Sequence, residues 1–255
     1  DRDGWERVEE YQRVLEWRGK YPNKGSSAAA SALDLPRSRI RPWFEGSKPD
    51  PVHAVDTAEQ HGWLDARPGD RILEALSVLH AWVYAGGSIE QRHYVPTFAV
   101  GSDDPRDLAI EALRAVGLDA TVARADEPGR ATEVRPAGDG GSHLGRFLHG
   151  VLGAPVGPKN ERSDIEIPAW LTAVGASTRL RWARVYVVLR STRIDDTRHG
   201  YSRLIKEERS RSFRRAFGEL LSGLAPRDSV TVGKRGVLLR PDASREFDVV
   251  PSLPE

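Results

Sequence analysis

Arginine side chains supply most of the chemistry that this sequence offers. Of its 38 basic residues, 32 are Arg and six are Lys, and the planar guanidinium makes bidentate contacts to phosphate groups and guanine edges. The segment 179–215 carries twelve basic and four acidic residues, a net charge of +8, whereas the whole chain stands at +1. Such a segment is either a solvated helix face or a surface that meets a polyanion, and nucleic acid is the obvious polyanion.

A second group of basic residues lies in the sequence RSRIRPWFEGSK, residues 37–48. In a helix of this sequence the apolar side chains can face inward while the arginines point elsewhere. We expect Arg37, Ser38 and Arg41 to reach base edges, and Arg39 and Lys48 to contact phosphates. The alternative is an ordinary helical bundle whose arginines are only solvated.

Other kinds of site chemistry have little support. The chain has no Cys, which excludes disulfides, thiolate zinc sites and cysteine nucleophiles. His143, His149 and His199 lack metal-like spacing with other ligands, and His80 lies in an apolar run where we expect a structural role. We therefore predict no metal and no cofactor.

Composition describes a folded protein of two or three compact units. Charged residues make up 29% of the 255 positions, and seven Trp are spread along the chain. The longest apolar runs are shorter than the roughly 18 residues that a membrane span needs, and no signal-peptide pattern opens the sequence. We expect a cytoplasmic protein with no membrane partner.

The N-terminal group of arginines needs a small helical unit to position it, and residues 1–67 predict one. Apolar residues follow one helical face over 5–18, a small-residue helix SSAAASAL comes next, and a short break separates it from RSRIRPWF; a fourth helix covers about 51–61. A short break between a small-residue helix and an Arg-lined helix is typical of a helix-turn-helix. Pro42 either shortens the second of these helices or marks its first turn, which would shift the base-reading residues.

Residues 68–255 predict an α+β domain made of two halves with related element order. The first half, about 68–158, is predicted to have the order helix, two strands, helix, two strands, helix. Its first helix runs through ILEALSVLHAWVYA and ends at a left-handed Gly86-Gly87 stop; a strand pattern over EQRHYVPTFAVG, a helix from Asp104, two strands and a short helix follow. The second half, about 168–255, has a helix over 178–191, a strand over 201–207, a helix and two strands, with no partner for the first half's last helix. Such an internal duplication is the most informative feature of the sequence.

Three segments carry a resemblance. LHAWVYAGGSI (79–89), RWARVYVVLRST (181–192) and GAPVGPKN followed by IPAWL resemble the signature helices and the linker of the LAGLIDADG homing endonuclease family, over about residues 68–240. The resemblance implies two αββαββα units whose signature helices pack together through Ala81, Ala85 and Ala183. It also implies two four-stranded antiparallel sheets that form a saddle in the major groove of DNA.

The same resemblance assigns residues to DNA contact. Lys159 matches the lysine that the family keeps near its active centre, where it can hold phosphate. Arg92, Arg203 and Lys206 fall on or near the sheets that would face DNA, although strand alternation alone leaves open which of them face it.

The sequence departs from the family at the positions that would cut DNA. The metal-binding acid at the end of each signature helix falls on Gly86 and on about Ser191, and neither can bind a hard cation as a carboxylate does. Glu90, Asp195 and Asp196 lie nearby but are poorly placed substitutes. We therefore expect a protein without endonuclease activity.

A helix-turn-helix joined to an acid-free endonuclease scaffold is similar to the combination found in WhiA-type sporulation regulators, which have the two modules in the opposite order. We expect a sequence-specific double-stranded DNA-binding protein that regulates transcription, acting as a monomer with internal pseudo-symmetry or as a homodimer. Two alternatives stay open: an active endonuclease that uses displaced acids, and an assembly protein that uses the saddle to hold a protein partner.

Overall fold

The computed structural model describes residues 2–101, 105–125, 127, 129–159, 165–196, 200–207 and 209–255. The predicted helix cap Asp104, His199 and the side chain of Asp196 lie outside the described residues. Within that part of the chain, eleven helices and two four-stranded antiparallel sheets form an α+β fold, as expected. No described helix has both the length and the apolar character needed to cross a membrane.

The N-terminal region forms four helices around an apolar core of its own. They are α1 (Arg2–Lys20), α2 (Ser26–Leu33), α3 (Arg37–Phe44) and α4 (Asp50–Gln60). Tyr11 of α1 and Trp43 of α3 meet edge to face with ring centroids 5.5 Å apart, and the fully buried Ala29 lets α2 approach closely. Ala58 and Trp63, which lie inside the predicted 1–67 unit, pack into the larger core of the following region instead. The two units therefore share a packed boundary.

The first half of the remaining chain has the element order αββαββα. Its elements are α5 (Arg71–Ala85), β1 (Ser88–Ile89), β2 (Pro96–Val100), α6 (Arg106–Ala115), β3 (Ala120–Ala123), β4 (Thr132–Pro136) and α7 (Gly140–Gly150). Of the segment EQRHYVPTFAVG (90–101), which was predicted as strand, only 96–100 forms one, β2; residues 90–95 turn between β1 and β2, with Tyr94 at φ 59°. The expected left-handed stop at Gly86-Gly87 is wrong, since Gly86 has φ −130° and neither glycine has a positive φ.

The second half repeats that order after a short connecting helix, α8 (Trp170–Ala173). Its elements are α9 (Ala176–Arg190), β5 (Ser191–Asp196), β6 (Gly200–Lys206), α10 (Arg211–Ser222), β7 (Val230–Val232), β8 (Gly236–Leu239) and α11 (Pro241–Glu246). The prediction lacked β5 and α11. Phe247, just after α11, is fully buried, so α11 completes this half as α7 completes the first.

Both sheets have the same strand order. The first runs β1-β2-β4-β3 and the second β5-β6-β8-β7, all antiparallel, and α5 packs along α9 between them in one shared core. Thirteen of the 15 residues of α5 are buried, as expected for a helix that is apolar on every side.

Polar side chains join α5 to α9 inside this core. Arg181 Nε donates to Glu74 Oε2 at 2.7 Å, and Thr178 donates to the other carboxylate oxygen. Trp182 Nε1 donates to His80 Nδ1 at 3.0 Å, and His80 Nε2 then donates to Leu152 O. Burial lowers the pKa of His80 to about 3, so its ring is neutral and structural, as expected.

Candidate nucleic-acid interface

Helix α3 presents a polar surface because its opposite side is anchored in the N-terminal core. Ile40 and Trp43 are buried, whereas Arg37, Ser38 and Arg41 are exposed on the other side. The turn before the helix spans residues 34–36, where Asp34 takes the left-handed conformation at φ 54°. The arrangement of α2, turn and α3 follows the predicted order.

Pro42 lies in the last turn of α3 and does not interrupt it. The helix continues to Phe44, and Glu45 N donates to both Arg41 O and Pro42 O as the helix closes. Arg37 and Ser38 therefore occupy the first turn, so the proline does not shift the residues expected to read bases.

Two of the predicted phosphate contacts have partners inside the protein. Arg39 Nη1 donates to both carboxylate oxygens of Glu10 on α1, at 2.8 and 2.9 Å, and Lys48 Nζ donates to Asp56 of α4 at 2.6 Å. These ion pairs hold α3 and the loop after it against their neighbouring helices. The acids come from separate helices, so only the folded chain brings them within reach.

The remaining basic side chains of α3 point into solvent. Arg41 pairs with Glu45 one turn further along, at 2.8 Å, and this exposed pair raises the pKa of Arg41. Arg37 and Ser38 form no side-chain hydrogen bond or ion pair to any residue that the structure describes. An exposed i,i+4 pair contributes little to stability, so a stronger acceptor such as a phosphate can displace it.

Cations occupy the end of α5 at the position that the resemblance assigns to catalytic acids. Lys159 Nζ donates to Val83 O and, at 2.6 Å, to Gly87 O. Arg209 donates to Tyr84 O and, at 2.7 Å, to Tyr186 Oη of α9. Positive charge is favourable at a helix C-terminus, where the last carbonyl groups carry partial negative charge.

The electrostatics of this cluster follow from burial and from like charges. Burial first, and then Arg209 and Arg190, lower the pKa of Lys159 to about 7. The buried carboxylate of Glu207 accepts from the Tyr186 hydroxyl, and burial raises the pKa of that hydroxyl. Sequence reasoning identified Lys159 but missed Arg209 and Glu207, because no spacing pattern links them to α5.

The positions predicted to be degenerate offer no donor set for a divalent cation. Gly86 has no side chain, Ser191 Oγ accepts from Arg203 Nη1 at 2.9 Å, and the nearby carbonyls of α5 already accept from Lys159 and Arg209. No cluster of three metal-binding side chains occurs among the described residues. The residues present therefore do not fit the metal of the endonuclease family.

The acids considered as substitutes also have other partners. Glu90 accepts from the backbone N–H groups of Arg92 and His93, at 2.9 and 2.6 Å, and these bonds lower its pKa. Asp195 accepts from Arg193 Nε at 2.8 Å. Glu90 thus shapes the 90–95 turn, where Arg92 itself is exposed as an interface residue must be.

The strand register decides which residues of β6 face away from the helices. Arg203 shares a face with the buried Ile205, and it pairs with Asp248 and Ser191. Lys206 lies on the opposite, open face and is exposed. We therefore correct the prediction for Arg203, which alternation left open: its side chain is on the helix-covered face.

The two open sheet faces differ in character. On the first, Glu133 pairs with both Arg124 and Arg135, so these charges largely compensate one another. On the second, an apolar stripe crosses three neighbouring strands next to Lys206; it consists of Ile194, which is 44% exposed, Leu204 and Leu238.

No protein-family model matches the chain, and no curated protein is significantly similar to it in sequence.

Proposed function

We propose that this protein binds double-stranded DNA in a sequence-specific manner through α3, does not cut it, and acts as a transcriptional regulator. The observation that carries the proposal is the exposed side of α3, where Arg37, Ser38 and Arg41 project from a helix anchored by Ile40 and Trp43. Side chains near the N-terminus of a recognition helix are those that meet base edges in the major groove.

Local charge supports this assignment. Residues 17–48 carry seven basic and two acidic side chains, although residues 1–67 together have eleven basic and twelve acidic ones. Arg18 lies beside α3, with its guanidinium 5.2 Å from the centre of the Phe44 ring. The basic residues therefore concentrate at the end of the unit that contains α3, where they can neutralise phosphates.

Fewer residues outside the exposed side of α3 remain available for DNA contact than the sequence predicted. Arg92 and Lys206 remain exposed candidates for backbone contact. Arg39, Lys48 and Arg203 are assigned here to internal ion pairs, and Lys159 to the end of α5. If both units touch one duplex, their covalent connection raises the effective concentration of the second contact.

The test begins with selection of a preferred duplex from a random pool, followed by fluorescence-anisotropy titration of the intact protein. Arg37→Ala and Arg41→Ala should each weaken binding to the selected site by about 5- to 150-fold, the range for one bidentate base contact. Arg227→Ala removes an equal charge from an exposed loop and serves as the control. Equal effects of all three substitutions, or no duplex binding at low salt, would contradict the proposal.

The endonuclease alternative is tested by incubating the protein and plasmid with Mg²⁺ or Mn²⁺. We expect no nicking or linearisation, because the residues around Gly86 and Ser191 supply no carboxylate to hold a cation.

A protein partner on the second sheet is a separate candidate, favoured by the apolar stripe of Ile194, Leu204 and Leu238. Exposed contiguous apolar surface of this kind marks interaction sites. Replacing Ile194 with Asp should abolish such a partner complex and leave binding of the selected duplex unchanged. The double substitution Arg37→Ala, Arg41→Ala, which leaves the Arg39–Glu10 ion pair intact, should have the opposite effects.

A further inference from the structure

Four basic residues lie together at one end of the second sheet, and we call them the second-sheet patch. Lys206 ends β6, and the turn between β7 and β8, which contains Lys234 and Arg235, lies beside it in the antiparallel ladder. Arg190 ends α9 and leads directly into β5, the other neighbour of β6. Since neighbouring strands are about 4.8 Å apart, β5 and β8 are roughly 10 Å apart and the four residues share one surface.

The charges of the second-sheet patch have no partner inside the protein. All four residues are exposed, and none of them forms a side-chain hydrogen bond or an ion pair with any residue that the structure describes. Glu207, the residue after Lys206, is buried, and its carboxylate accepts from the Tyr186 hydroxyl and from Arg209 instead. The patch therefore presents its positive charges to solvent.

Two buried cations lie behind the patch. Arg209 donates to Tyr186 Oη, one turn before Arg190 on α9, at 2.7 Å. Burial first, and then Arg209 and Arg190, lower the pKa of Lys159 to about 7, so Arg190 lies close enough to act on the buried lysine. Like charges gathered in this way raise the local positive potential, which attracts a polyanion from solution.

The first half of the domain shows that the architecture does not require these free charges. There α5 ends on the neutral Ala85. The turn between β3 and β4 pairs its two arginines with acids, Arg124 with Glu133 at 2.6 Å and Arg130 with Glu127 at 3.6 Å. Because the two halves share one element order, the uncompensated cations are a property of the second half's sequence and indicate a partner outside the chain.

We infer that the second-sheet patch binds the phosphate backbone of duplex DNA without reading its sequence, as a second contact beside α3. The inference rests on the proposed function, to which it adds this site. Exposed cations on a turn, a strand end and a helix end suit the repeated charges of a backbone, whereas base reading needs an element that enters a groove. The open face next to Lys206 is apolar at Leu204 and Leu238, so the contact is confined to the end of the sheet.

The experiment measures binding of the intact protein to the selected duplex and to a shuffled duplex by fluorescence anisotropy, between about 0.05 and 0.3 M NaCl. The patch variant carries Arg190→Gln, Lys234→Gln and Arg235→Gln. It should weaken binding to both duplexes by the same factor, at least about tenfold at 0.1 M NaCl. The slope of the logarithm of affinity against the logarithm of salt concentration should fall by about two to three, close to one for each lost phosphate contact.

A control variant removes three exposed charges elsewhere, through Arg114→Gln, Arg227→Gln and Arg240→Gln. Its affinity and its salt slope should stay near those of wild type, and circular dichroism should show both variants folded, because the replaced side chains are exposed. Arg37→Ala should act mainly on the selected duplex, so a failure of the α3 assignment and a failure of the patch give different results.

Three results would overturn the inference. The first is a patch variant that behaves like the control variant, and the second is a loss of affinity confined to the selected duplex. The third is unchanged duplex binding together with lost binding to poly-glutamate, which would assign the patch to an acidic protein partner. Absence of any duplex binding by the wild-type protein would overturn the inference together with the proposed function.

Discussion

Gly86 and Gly87 are adjacent, but the structure predicts opposite effects of adding one methyl group to each. A Cβ on Gly87 would lie 2.6 Å from Thr97 O, 3.1 Å from Trp82 O and 3.3 Å from the Cα of Val83, all backbone atoms. A Cβ on Gly86 would have Ala99 O at 3.8 Å as its nearest neighbour, which is ordinary contact. Neither glycine has a positive φ, so steric fit decides the result.

The magnitude follows from these distances. Gly87→Ala must separate β2 from the end of α5, and overpacking of this kind costs about 1–3 kcal/mol. Gly86→Ala fits and removes backbone freedom from the unfolded chain, which stabilises by about 0.4–1 kcal/mol. At about 2–4 °C per kcal/mol for a chain near this size, we expect Tm values on either side of wild type, about 3–15 °C apart.

Differential scanning calorimetry of the three proteins measures this difference, and circular dichroism at low temperature verifies that each is folded. A Gly87→Ala protein as stable as wild type, or equal losses at both positions, would refute the close approach of α5 to β2. Such a result would also remove the geometry that brings Gly87 O to Lys159.

Three further predictions concern buried polar groups. His80 stays neutral in the fold, whereas in the unfolded chain it takes up a proton below about pH 6.5. The free energy of unfolding therefore falls as the pH is lowered from about 6.5 to 3, and His80→Gln should reduce the accompanying decrease in the urea midpoint. The pKa of Lys159 is about 7 in the fold against 10.5 when unfolded, so the folded chain releases its proton first. Stability therefore rises from about pH 7 to 10.5, and Lys159→Met should flatten that rise in urea titrations. Arg181→Ala leaves the carboxylate of Glu74, 3% exposed, without its cation and should destabilise by about 3–5 kcal/mol in urea, whereas Glu74→Gln with Arg181→Met should cost less.

Hydrophobic pattern was sufficient to predict the elements that are buried. The apolar run of α5 and the alternating residues of β4 specify their structures locally, because burial dictates their composition. The two-half organisation followed from their order, and the structure contains it. The α+β class could therefore be predicted from the sequence.

The elements that were missed are those whose sequences are polar or short. β5 reads STRIDD, and its residues alternate between the open face and a partly covered one at the edge of a sheet, so no apolar period marks it. α11 has six residues and begins with Pro241. Both are stabilised by partners distant in sequence, which a local pattern does not encode.

Site residues were hardest to predict because exposure is a property of the fold. Arg37 and Arg39 are two positions apart on one helix, yet only Arg39 meets an acid, since Glu10 lies on α1 beneath it. Arg203 and Lys206 are three apart on one strand and therefore face opposite sides of the sheet. Residue type indicates which contacts a side chain is able to make, but it could not select which of the arginines and lysines are left free to make them.

The end of α5 determines whether a divalent cation could bind there. A hard divalent cation needs several oxygen ligands, and here the carbonyl oxygens of Val83, Tyr84 and Gly87 accept hydrogen bonds from Lys159 and Arg209. A carboxylate introduced at position 86 has room for its Cβ, but it would meet these cations before any metal. Because the two basic side chains satisfy the helix end themselves, replacing one glycine does not create a donor set for a divalent cation; Lys159 and Arg209 would have to be replaced as well.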